Sequence, residues 1–369
     1  MKASRPYPFV SVIIPVRNEG KYIGACLRSL LLCSYPPDRW EIIIADGMSE
    51  DETRREVAGV AAEARVPIVL LENPARVTPV ALNLAIGKAR GEIIIRVDAH
   101  AEFGAEYVTR CVRVLEESRA DNVGGPVTTR PGADTPMAHA IAAAMAHPFG
   151  VGNSAFRTLR QAREVDTVPF GCFRVTTFQR VGLFDERLWR NQDYELNQRI
   201  RQKDGRIFMS PSLESVYYSR ATLGGLLRQA WANGFWNAMT HYLHPSSFCL
   251  RHALPVLFTL GIIFAMLTAG WGIFAALPGW LLPFALLSWL GAITYGMLTI
   301  WATVGLSRRY GQRHWHCWLR IFPAFHFVYG AGIAWGWVNA LSRRYPWHPD
   351  ADIPTWEDYN AFCASEAAA

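Results

Sequence analysis

Acidic residues follow three apolar segments of the chain, where they could build a ligand site. Glu19 comes after the first segment, Asp46 after the second, and Asp98 after a later one, with His100 two residues beyond it. Like charges brought together are unfavourable unless a cation or a polar ligand lies among them. The alternative is that these residues initiate turns and cap helices, as Asp51 is expected to do. Three such positions in register favour a site for a nucleotide and a metal.

Short β-branched segments alternate with helical segments over the first hundred residues. The hydrophobic spacing predicts strands at 9–15, 41–45, 66–71 and 92–97, and helices at 21–32, 52–64 and 79–89. This alternation, with continuously apolar strands, is typical of an α/β fold in which helices cover both faces of a mainly parallel sheet. Ligands of such sheets bind beyond the carboxyl ends of the strands. The acidic residues are therefore expected to converge at one edge.

The second part of the chain is almost free of charge. Residues 253–307 contain no charged side chain, whereas a single membrane-spanning helix needs about 20 apolar residues. The sequence predicts two or three membrane helices, at about 253–276, 281–304 and 321–341. It also predicts three regions: a catalytic domain at 1–245, a membrane region at 246–345 and a C-terminal tail at 346–369.

The arginines that flank these segments predict their orientation. Arg308, Arg309, Arg313 and Arg320 lie between the second and third apolar segments, so the positive-inside rule places that connector in the cytoplasm beside the catalytic domain. The N-terminus has no apolar core of a signal peptide. We therefore expect a multi-pass protein of the inner membrane. Three crossings would leave the tail outside, whereas a third segment lying in the interface would keep it inside, and both arrangements stay open.

Composition excludes several classes of protein. The chain is 51% hydrophobic and 18% charged, with a mean hydropathy of +0.08, which excludes an intrinsically disordered chain. Its seven scattered cysteines lack zinc-ligand spacing and are expected to be reduced. The net charge of +6 is dispersed rather than gathered in a stripe, so no nucleic-acid partner is expected.

The ordered motifs resemble family 2 glycosyltransferases with the GT-A fold. The resemblance covers roughly residues 8–240. Within the family, the sequence is most similar to the exopolysaccharide glycosyltransferases of the succinoglycan type. It rests on six segments, at 10–19, 46–53, 81–83, 89–100, 181–186 and 191–199.

The resemblance implies roles for the acidic residues. Pro15, Glu19 and Asp46 would surround the base and ribose of a nucleotide-sugar. Asp98 matches the first acid of the family's Asp-X-Asp element, which holds the nucleotide and a divalent cation, Mg²⁺ or Mn²⁺. The third position of that element is His100 here, a departure from the family. Since Mg²⁺ prefers oxygen ligands, His100 would either bind the metal or donate a hydrogen bond to phosphate or sugar.

Asp193 matches the acid that serves as the catalytic base in the family. Its usual Glu-Asp pair reads Gln192-Asp193 here, and a neutral neighbour should raise the pKa of Asp193 less than a glutamate would. The following segment is expected to be helical, with Asp193, Glu195 and Arg199 pointing to different sides. The alternative role for Asp193 is that of a helix N-cap.

The resemblance implies an inverting hexosyltransferase. It would move a hexose from a nucleotide-sugar, of the UDP-glucose type, onto a polyprenyl-diphosphate-linked saccharide in exopolysaccharide biosynthesis. Arg220 or Arg228 would stabilise the leaving diphosphate, although each could equally contact lipid headgroups. Membrane lipid and other polysaccharide-assembly enzymes are the expected partners. Two alternatives are transfer onto polyprenyl phosphate and a non-catalytic scaffold with a GT-A domain.

Overall fold

A computed structural model describes most of the chain, at residues 7–152, 154–158, 160–247, 250–269, 276–311, 314–344 and 352–359. By its internal contacts the chain divides into two units. The first unit, which we call the catalytic unit, comprises Met1–Thr128, Leu159–Tyr217 and Pro346–Ala369. The second unit, which we call the helical unit, comprises Thr129–Thr158 and Tyr218–Tyr345. Most of the predicted tail at 346–369 lies outside the described residues.

An eight-stranded sheet forms the centre of the catalytic unit, in the order β3-β2-β1-β4-β8-β5-β9-β7. Its strands are β1 Val10–Val16, β2 Trp40–Asp46, β3 Ile68–Glu72, β4 Ile93–Arg96, β5 Asn122–Gly124, β7 Arg163–Glu164, β8 Cys172–Arg174 and β9 Ile207–Met209. A two-stranded sheet pairs β6 Val127–Arg130 with β10 Ser215–Tyr218.

Helices of the catalytic unit connect these strands. They are α1 Ile23–Leu31, α2 Thr53–Glu63, α3 Thr78–Lys88, α4 Tyr107–Ser118, α8 Val175–Val181 and α9 Gln192–Gln202. The four strands and three helices predicted before residue 100 are all confirmed, with ends displaced by at most two residues. These predictions were correct because β1, β2 and β4 carry buried β-branched side chains on both faces. Continuously apolar strands of that kind fit only a sheet that is covered on both sides.

The sheet is parallel on one side and mixed on the other. β1 pairs with β2 and β4 in parallel, and β2 pairs with β3 in parallel. β8 runs antiparallel to both β4 and β5, which makes β4 the last strand of the parallel half. Because β1 and β4 are adjacent and parallel, the loops that follow them open at the same edge of the sheet.

The helical unit contains the apolar helices. They are α5 Pro136–Met145, α6 Pro148–Val151, α7 Ala155–Thr158, α10 Leu223–Leu243, α11 Leu250–Leu267, α12 Leu282–Tyr310 and α13 Trp315–Leu341. In the described part of the chain, α12 and α13 are long and apolar enough to cross a membrane. Helix α11 has 18 residues and ends nine residues before the predicted end of the first span. Residues 270–275 of that span lie outside the described residues.

Candidate active site

A buried arginine connects two of the predicted acidic residues. Arg96 ends β4, and its guanidinium lies 2.8 Å from Oδ1 of Asp98 through Nη2 and 2.8 Å from Oδ2 of Asp193 through Nη1. Its side chain is 6% exposed, and it lies over the ring of Phe170 at 5.9 Å. Asp98 and Asp193, which are 95 residues apart, are thereby held by one group. A planar fork of donors suits this double contact, which a single ammonium group would not provide.

Asp193 stands in the first turn of α9. This helix begins at Gln192 after Asn191, which has a left-handed backbone (φ 63°) and occupies the N-cap position. Asp193 is therefore not the cap, so the alternative role predicted for it is wrong. The first turn of a helix favours a carboxylate, because the backbone N–H groups there carry partial positive charge.

Burial raises the pKa of the Asp193 carboxyl above its usual value, Arg96 opposes this shift, and the charge of Asp98 adds to it. The net direction is upward. Burial is the largest cause of the shift, and the expectation that the neutral Gln192 raises the pKa of Asp193 less than a glutamate would stays a prediction. A carboxylate with a raised pKa is a stronger base, which suits removal of a proton from a hydroxyl group.

A buried ion pair on α9 fixes the helix that carries Asp193. Arg199 donates to both carboxylate oxygens of Glu195, at 2.5 and 2.8 Å. It also donates to the carbonyl oxygens of Val181 (2.7 Å) and Leu183 (2.6 Å). Glu195 and Arg199 therefore lie on one face of α9, and the expectation that they point to different sides is wrong, because residues four apart share a helix face.

Glu19 and His100 meet at the end of the parallel strands, as predicted. Nδ1 of His100 lies 3.4 Å from Oε1 of Glu19, and both side chains are partly exposed. The backbone N–H of Glu19 donates to Oγ1 of Thr53, at the start of α2. The loops after β1 and β4 thus contribute a carboxylate and an imidazole to the same edge of the sheet.

Asp46 organises the loop that follows β2. Its carboxylate is fully buried, and it accepts hydrogen bonds from the backbone N–H and the hydroxyl of Ser49 and from Nε of Arg54. Ser49 also accepts a hydrogen bond from the N–H of Asn18, which connects this loop to the one after β1. These contacts show that Asp46 shapes the loop, and its role toward a nucleotide stays a prediction.

Three further residues were singled out from the sequence: Asp51, Pro15 and Arg220. Asp51 accepts a hydrogen bond from the N–H of Thr53, the first residue of α2, but Glu52 occupies the N-cap position, so the expectation that Asp51 caps this helix is wrong. Pro15 is a half-buried residue of β1. Arg220 is exposed, lies just before α10 and belongs to the helical unit. The roles of Pro15 and Arg220 in donor binding stay predictions.

Sequence reasoning missed Arg96. The available signal was a charged residue inside an otherwise apolar strand, two positions before Asp98. Residues two apart in an extended chain face the same side, and a buried arginine needs an anionic partner. The spacing alone could have indicated the pair of Arg96 with Asp98, but not the contact with Asp193.

The side chains at this edge can hold a divalent cation only with help from a ligand. The described residues contain no cluster of three or more metal-binding side chains. Among them Oδ2 of Asp98 accepts no hydrogen bond, while Oδ1 binds Arg96. Protein sites for Mg²⁺ at phosphates often use one or two carboxylates, and the phosphates complete the shell. Asp98 fits that donor set, with His100 as the nitrogen ligand that Mn²⁺ tolerates better than Mg²⁺.

The arrangement as a whole combines a basic carboxylate with groups suited to a charged ligand. Asp193 could accept a proton, and Arg96 keeps it in place. Asp98, His100 and Glu19 lie at the same edge of the sheet, where α/β folds bind their ligands. This is the chemistry of a group transfer in which a hydroxyl is deprotonated and an anionic group leaves.

Comparison with known proteins identifies the family. Residues 11–188 match the family model Glycosyl transferase family 2. The chain is 30% identical over 303 residues to the succinoglycan biosynthesis protein ExoA of Rhizobium meliloti, which covers 81% of this chain and 87% of that protein. The resemblance to the succinoglycan type stated from the motifs is confirmed.

Two further relatives agree with this assignment. One is the dolichyl N-acetyl-α-D-glucosaminyl phosphate 3-β-D-2,3-diacetamido-2,3-dideoxy-β-D-glucuronosyltransferase of Methanococcus voltae, at 27% identity over 61% of this chain and 72% of that protein. The other is the structure of a mannosyltransferase from Pyrobaculum calidifontis in complex with GDP-Man and Mn²⁺. It superimposes with a TM-score of 0.56 at 20% identity, over 89% of this chain and 88% of that one. The chain belongs to the family 2 glycosyltransferases, and its catalytic unit has the GT-A fold.

Proposed function

We propose that this glycosyltransferase moves a hexose from a nucleotide-sugar onto a lipid-linked saccharide by a single inverting displacement, with Asp193 as the base. The observation that carries the proposal is the contact of one buried guanidinium with both Asp193 and Asp98. It holds a basic carboxylate beside the residue that matches the donor-binding acid of the family. We propose a UDP-sugar of the glucose type as the donor.

At C1 of the donor sugar the reaction forms one bond and breaks one, and a proton passes from the acceptor hydroxyl to Asp193. Asp193 accepts the proton of an acceptor hydroxyl while that oxygen attacks C1 of the donor sugar. The bond from C1 to the diphosphate oxygen breaks, and the nucleoside diphosphate leaves with the electron pair. Positive charge develops at C1, as it does in glycoside hydrolysis. The raised pKa of Asp193 favours the proton transfer, and Arg96 keeps the carboxylate oriented throughout.

The donor would lie against the loops after β1, β2 and β4. Glu19 and Pro15 lie at the end of β1, and Asp46 shapes the adjoining loop. A divalent cation, held by Asp98 and His100 together with the donor diphosphate, would neutralise the charge of the leaving group. The mannosyltransferase of similar fold was solved with GDP-Man and Mn²⁺, which supports this arrangement. Arg220 remains our candidate for an additional contact to the diphosphate.

A lipid-linked acceptor agrees with the apolar helices and with the relatives. Helices α12 and α13 have the length and composition of membrane segments. The relative from Methanococcus voltae is named for a dolichyl-linked substrate, and the one from Rhizobium meliloti for the biosynthesis of an exopolysaccharide. The catalytic unit would face the cytoplasm from the inner membrane, and other polysaccharide-assembly enzymes would supply and consume the lipid intermediate.

Transfer onto polyprenyl phosphate is the second candidate. The observation that favours it is the pair of exposed arginines Arg308 and Arg309 at the end of α12, which could bind a lipid phosphate. The same arginines are expected at the membrane surface for topological reasons. Acceptor identity therefore separates the two functions: the first needs a saccharide hydroxyl and the second a phosphate oxygen.

The test is donor turnover by the detergent-purified full chain. UDP- and GDP-sugars are supplied with and without Mn²⁺, and with either polyprenyl phosphate or a polyprenyl-diphosphate-linked saccharide. We expect metal-dependent release of UDP with the saccharide acceptor. The Asp193→Asn variant should lose about 10²–10⁴-fold of the rate while donor binding persists.

The control variant is Asp204→Asn, which changes an exposed aspartate of the same unit whose backbone is left-handed (φ 57°) and therefore tolerates asparagine. It should keep the wild-type rate. Donor binding without turnover on either acceptor would overturn the proposal in favour of a non-catalytic scaffold. Turnover that survives in Asp193→Asn would overturn the assignment of the base.

A further inference from the structure

The C-terminal tail returns to the catalytic unit. The backbone N–H of Leu183 donates to the carbonyl oxygen of Pro354 at 3.0 Å, and the hydroxyl of Tyr359 donates to the carboxylate of Glu186. A side chain added at Gly182 would contact Ile353. Residues 352–359 therefore lie on the same side of any membrane as the catalytic unit. The chain between them crosses the membrane an even number of times or not at all.

The connector between α12 and α13 also lies on that side. Within the helical unit, Nε1 of the fully buried Trp318 donates to the carbonyl oxygen of Ala140 in α5 at 3.0 Å. A cavity of about 180 Å³ is bordered on one side by Thr129, Pro131 and His139, and on the other by Tyr310, His314 and Trp318. The end of α12 and the start of α13 are thus packed against the segment 129–146.

Segment 129–158 cannot itself lie across the membrane. Thr129 is bonded to Thr128 of the catalytic unit, and the chain re-enters that unit at Leu159. The longest helix between them, α5, has 10 residues, which is about 15 Å, whereas the hydrocarbon core is about 30 Å thick. Both ends of α13 are therefore fixed on the catalytic side: its start by the contact with α5, and its end by the return of the tail.

Helices α11 and α12 carry most of the exposed apolar surface of the described chain. More than half of the large apolar side chains exposed in the described part of the chain lie on these two helices, among them Leu257, Met266, Leu287 and Trp301. In the most apolar 18-residue stretch of α12, 11% is buried inside the protein, whereas 33% of the corresponding stretch of α13 is buried. Such a continuous apolar surface, in a segment of 55 residues without charge, has the chemistry of a lipid contact.

Helix α13 instead packs closely on α10. Gly332 and Gly336 allow this contact, because a side chain at either position would collide with the backbone of α10 at Trp231 or Phe235. The amide of Asn237 donates to the hydroxyl of Tyr329 across the same contact. Helix α10 also carries polar side chains such as the exposed Arg228. A pair of helices with this composition suits the membrane surface better than the hydrocarbon core.

We propose that α11 and α12 form a hairpin that crosses the membrane twice, and that α13, despite its length and apolar composition, does not cross. Helix α13 lies with α10 at the membrane surface on the catalytic side. The 18 residues of α11 span about 27 Å, which is close to the thickness of the hydrocarbon core. This places position 251, at the start of α11, and positions 308 and 309, at the end of α12, on one side, as the positive-inside rule requires of their arginines.

The two other arrangements meet specific obstacles. A hairpin of α12 and α13 would move Arg308 and Arg309 across the membrane, away from the segment 129–146 that packs against this region. Three crossings would separate the tail from Leu183. The relative sides of these segments do not depend on the reaction, whereas naming the catalytic side as the cytoplasm rests on the proposed function.

Single cysteines labelled by a membrane-impermeant maleimide test the proposal. The full chain, with its seven native cysteines replaced by serine, carries one of four exposed substitutions: Ala62→Cys in the catalytic unit, Gly279→Cys before α12, His316→Cys in the first turn of α13, and Glu357→Cys in the tail. We expect labelling of intact cells at Gly279→Cys only. The other three should react only after permeabilisation. Donor binding by the purified variants confirms that each is folded.

Each other pattern has a defined meaning. Labelling of Glu357→Cys in intact cells while Ala62→Cys stays protected would establish an odd number of crossings and overturn the proposal. Labelling of His316→Cys in intact cells would favour the hairpin of α12 and α13. Protection of Gly279→Cys would show that the α11–α12 segment enters without crossing. The mirror pattern, with only Gly279→Cys protected, would leave the hairpin standing and overturn the cytoplasmic placement instead.

Reporter fusions keep the proposal testable if the cysteine-free chain fails to fold. Alkaline phosphatase, which is active only outside the cytoplasm, and green fluorescent protein, which is fluorescent only inside it, are each inserted after residue 279 or fused after residue 369 of the native chain. We expect phosphatase activity from the first position and fluorescence from the second. Phosphatase activity from the C-terminal fusion would overturn the proposal.

Discussion

Nη1 of Arg96 lies 2.8 Å from Oδ2 of Asp193, and this contact joins the end of a central strand to the first turn of α9. The arginine is buried, while 29% of the Asp193 side chain is exposed. The ion pair therefore has one end in the core and the other at the edge where substrates would bind. Arg96 can position the carboxylate without occupying the space of the acceptor.

Replacement of Arg96 should impair catalysis more than donor binding. Arg96→Met removes the contact that orients Asp193, and we expect kcat/KM to fall about 100-fold, as small displacements of catalytic groups do. Loss of a buried charge partner should also lower the free energy of unfolding by about 2–4 kcal/mol. Arg96→Lys keeps the charge but not the forked geometry, so its loss should be intermediate. Steady-state kinetics and thermal unfolding of the purified chain measure both effects.

Arg65→Met provides the control for this series, because Arg65 is an exposed arginine of the same unit. It should leave both the rate and the stability unchanged. A wild-type kcat/KM in Arg96→Met would show that Asp193 needs no support from β4.

The acidic limb of the pH–rate profile should report the raised pKa of Asp193. The base is active as the carboxylate, so kcat/KM should fall as the pH is lowered through its pKa. Because burial and Asp98 raise that pKa, the fall should occur at a higher pH than the value of about 3.9 for an ordinary aspartate predicts. Below it the rate should decrease about tenfold per pH unit.

Arg96→Met changes this limb in a defined direction. Arg96 lowers the pKa of Asp193, so its removal should move the limb to higher pH. Donor binding measured over the same range separates the titration of the base from any loss of the nucleotide site. A shift of the limb to lower pH would contradict the assignment of Asp193 as the titrating group.

Substitution of His100 should change the preference for metal. His100→Asp restores the acidic position of the family's element, and a carboxylate oxygen is the better ligand for Mg²⁺. We expect the ratio of activity with Mg²⁺ to activity with Mn²⁺ to rise about tenfold. His100→Ala, the companion variant, removes the ligand without adding oxygen and should not raise that ratio. Equal ratios in wild type and His100→Asp would show that His100 does not bind the metal.

The ion pair of Glu195 and Arg199 should be essential for stability. Arg199→Met removes the cation that faces the buried Glu195 and leaves two carbonyl oxygens without that donor. We expect the free energy of unfolding to fall by about 3–5 kcal/mol, seen as a lower midpoint in thermal unfolding. The double variant Glu195→Gln/Arg199→Met should recover part of the loss, because no unpaired charge remains. Strict additivity of the two single changes would contradict a direct coupling.

The spacing of apolar residues along the chain was sufficient to predict the parallel half of the sheet. The segments that became β1, β2 and β4 are short, β-branched and apolar on both faces, and such segments fit only a covered sheet. The meeting of Glu19 with His100 follows from the same pattern, because parallel strands end at one edge. The motifs further sufficed to identify the family: six ordered segments resemble it, and the family model matches residues 11–188.

The remaining features of the candidate site depend on contacts between segments that are distant in the sequence. Asp193 reaches Arg96 only because the fold brings the first turn of α9 to the end of β4, and no spacing rule relates residues 97 positions apart. The sequence also did not indicate that the Asp46 carboxylate accepts hydrogen bonds from Ser49 of the following loop and from Arg54 of α2; its role toward a nucleotide stays a prediction.

The membrane segments show the same division. The sequence by itself determined that residues 253–307 are suited to lipid, because hydropathy depends on composition alone. It left the third apolar segment undecided, since length and composition are the same for a helix that crosses and one that lies on the surface. Only the tertiary structure, through the contact of Trp318 with Ala140 and of Leu183 with Pro354, supports our proposal that both ends of that helix lie on one side.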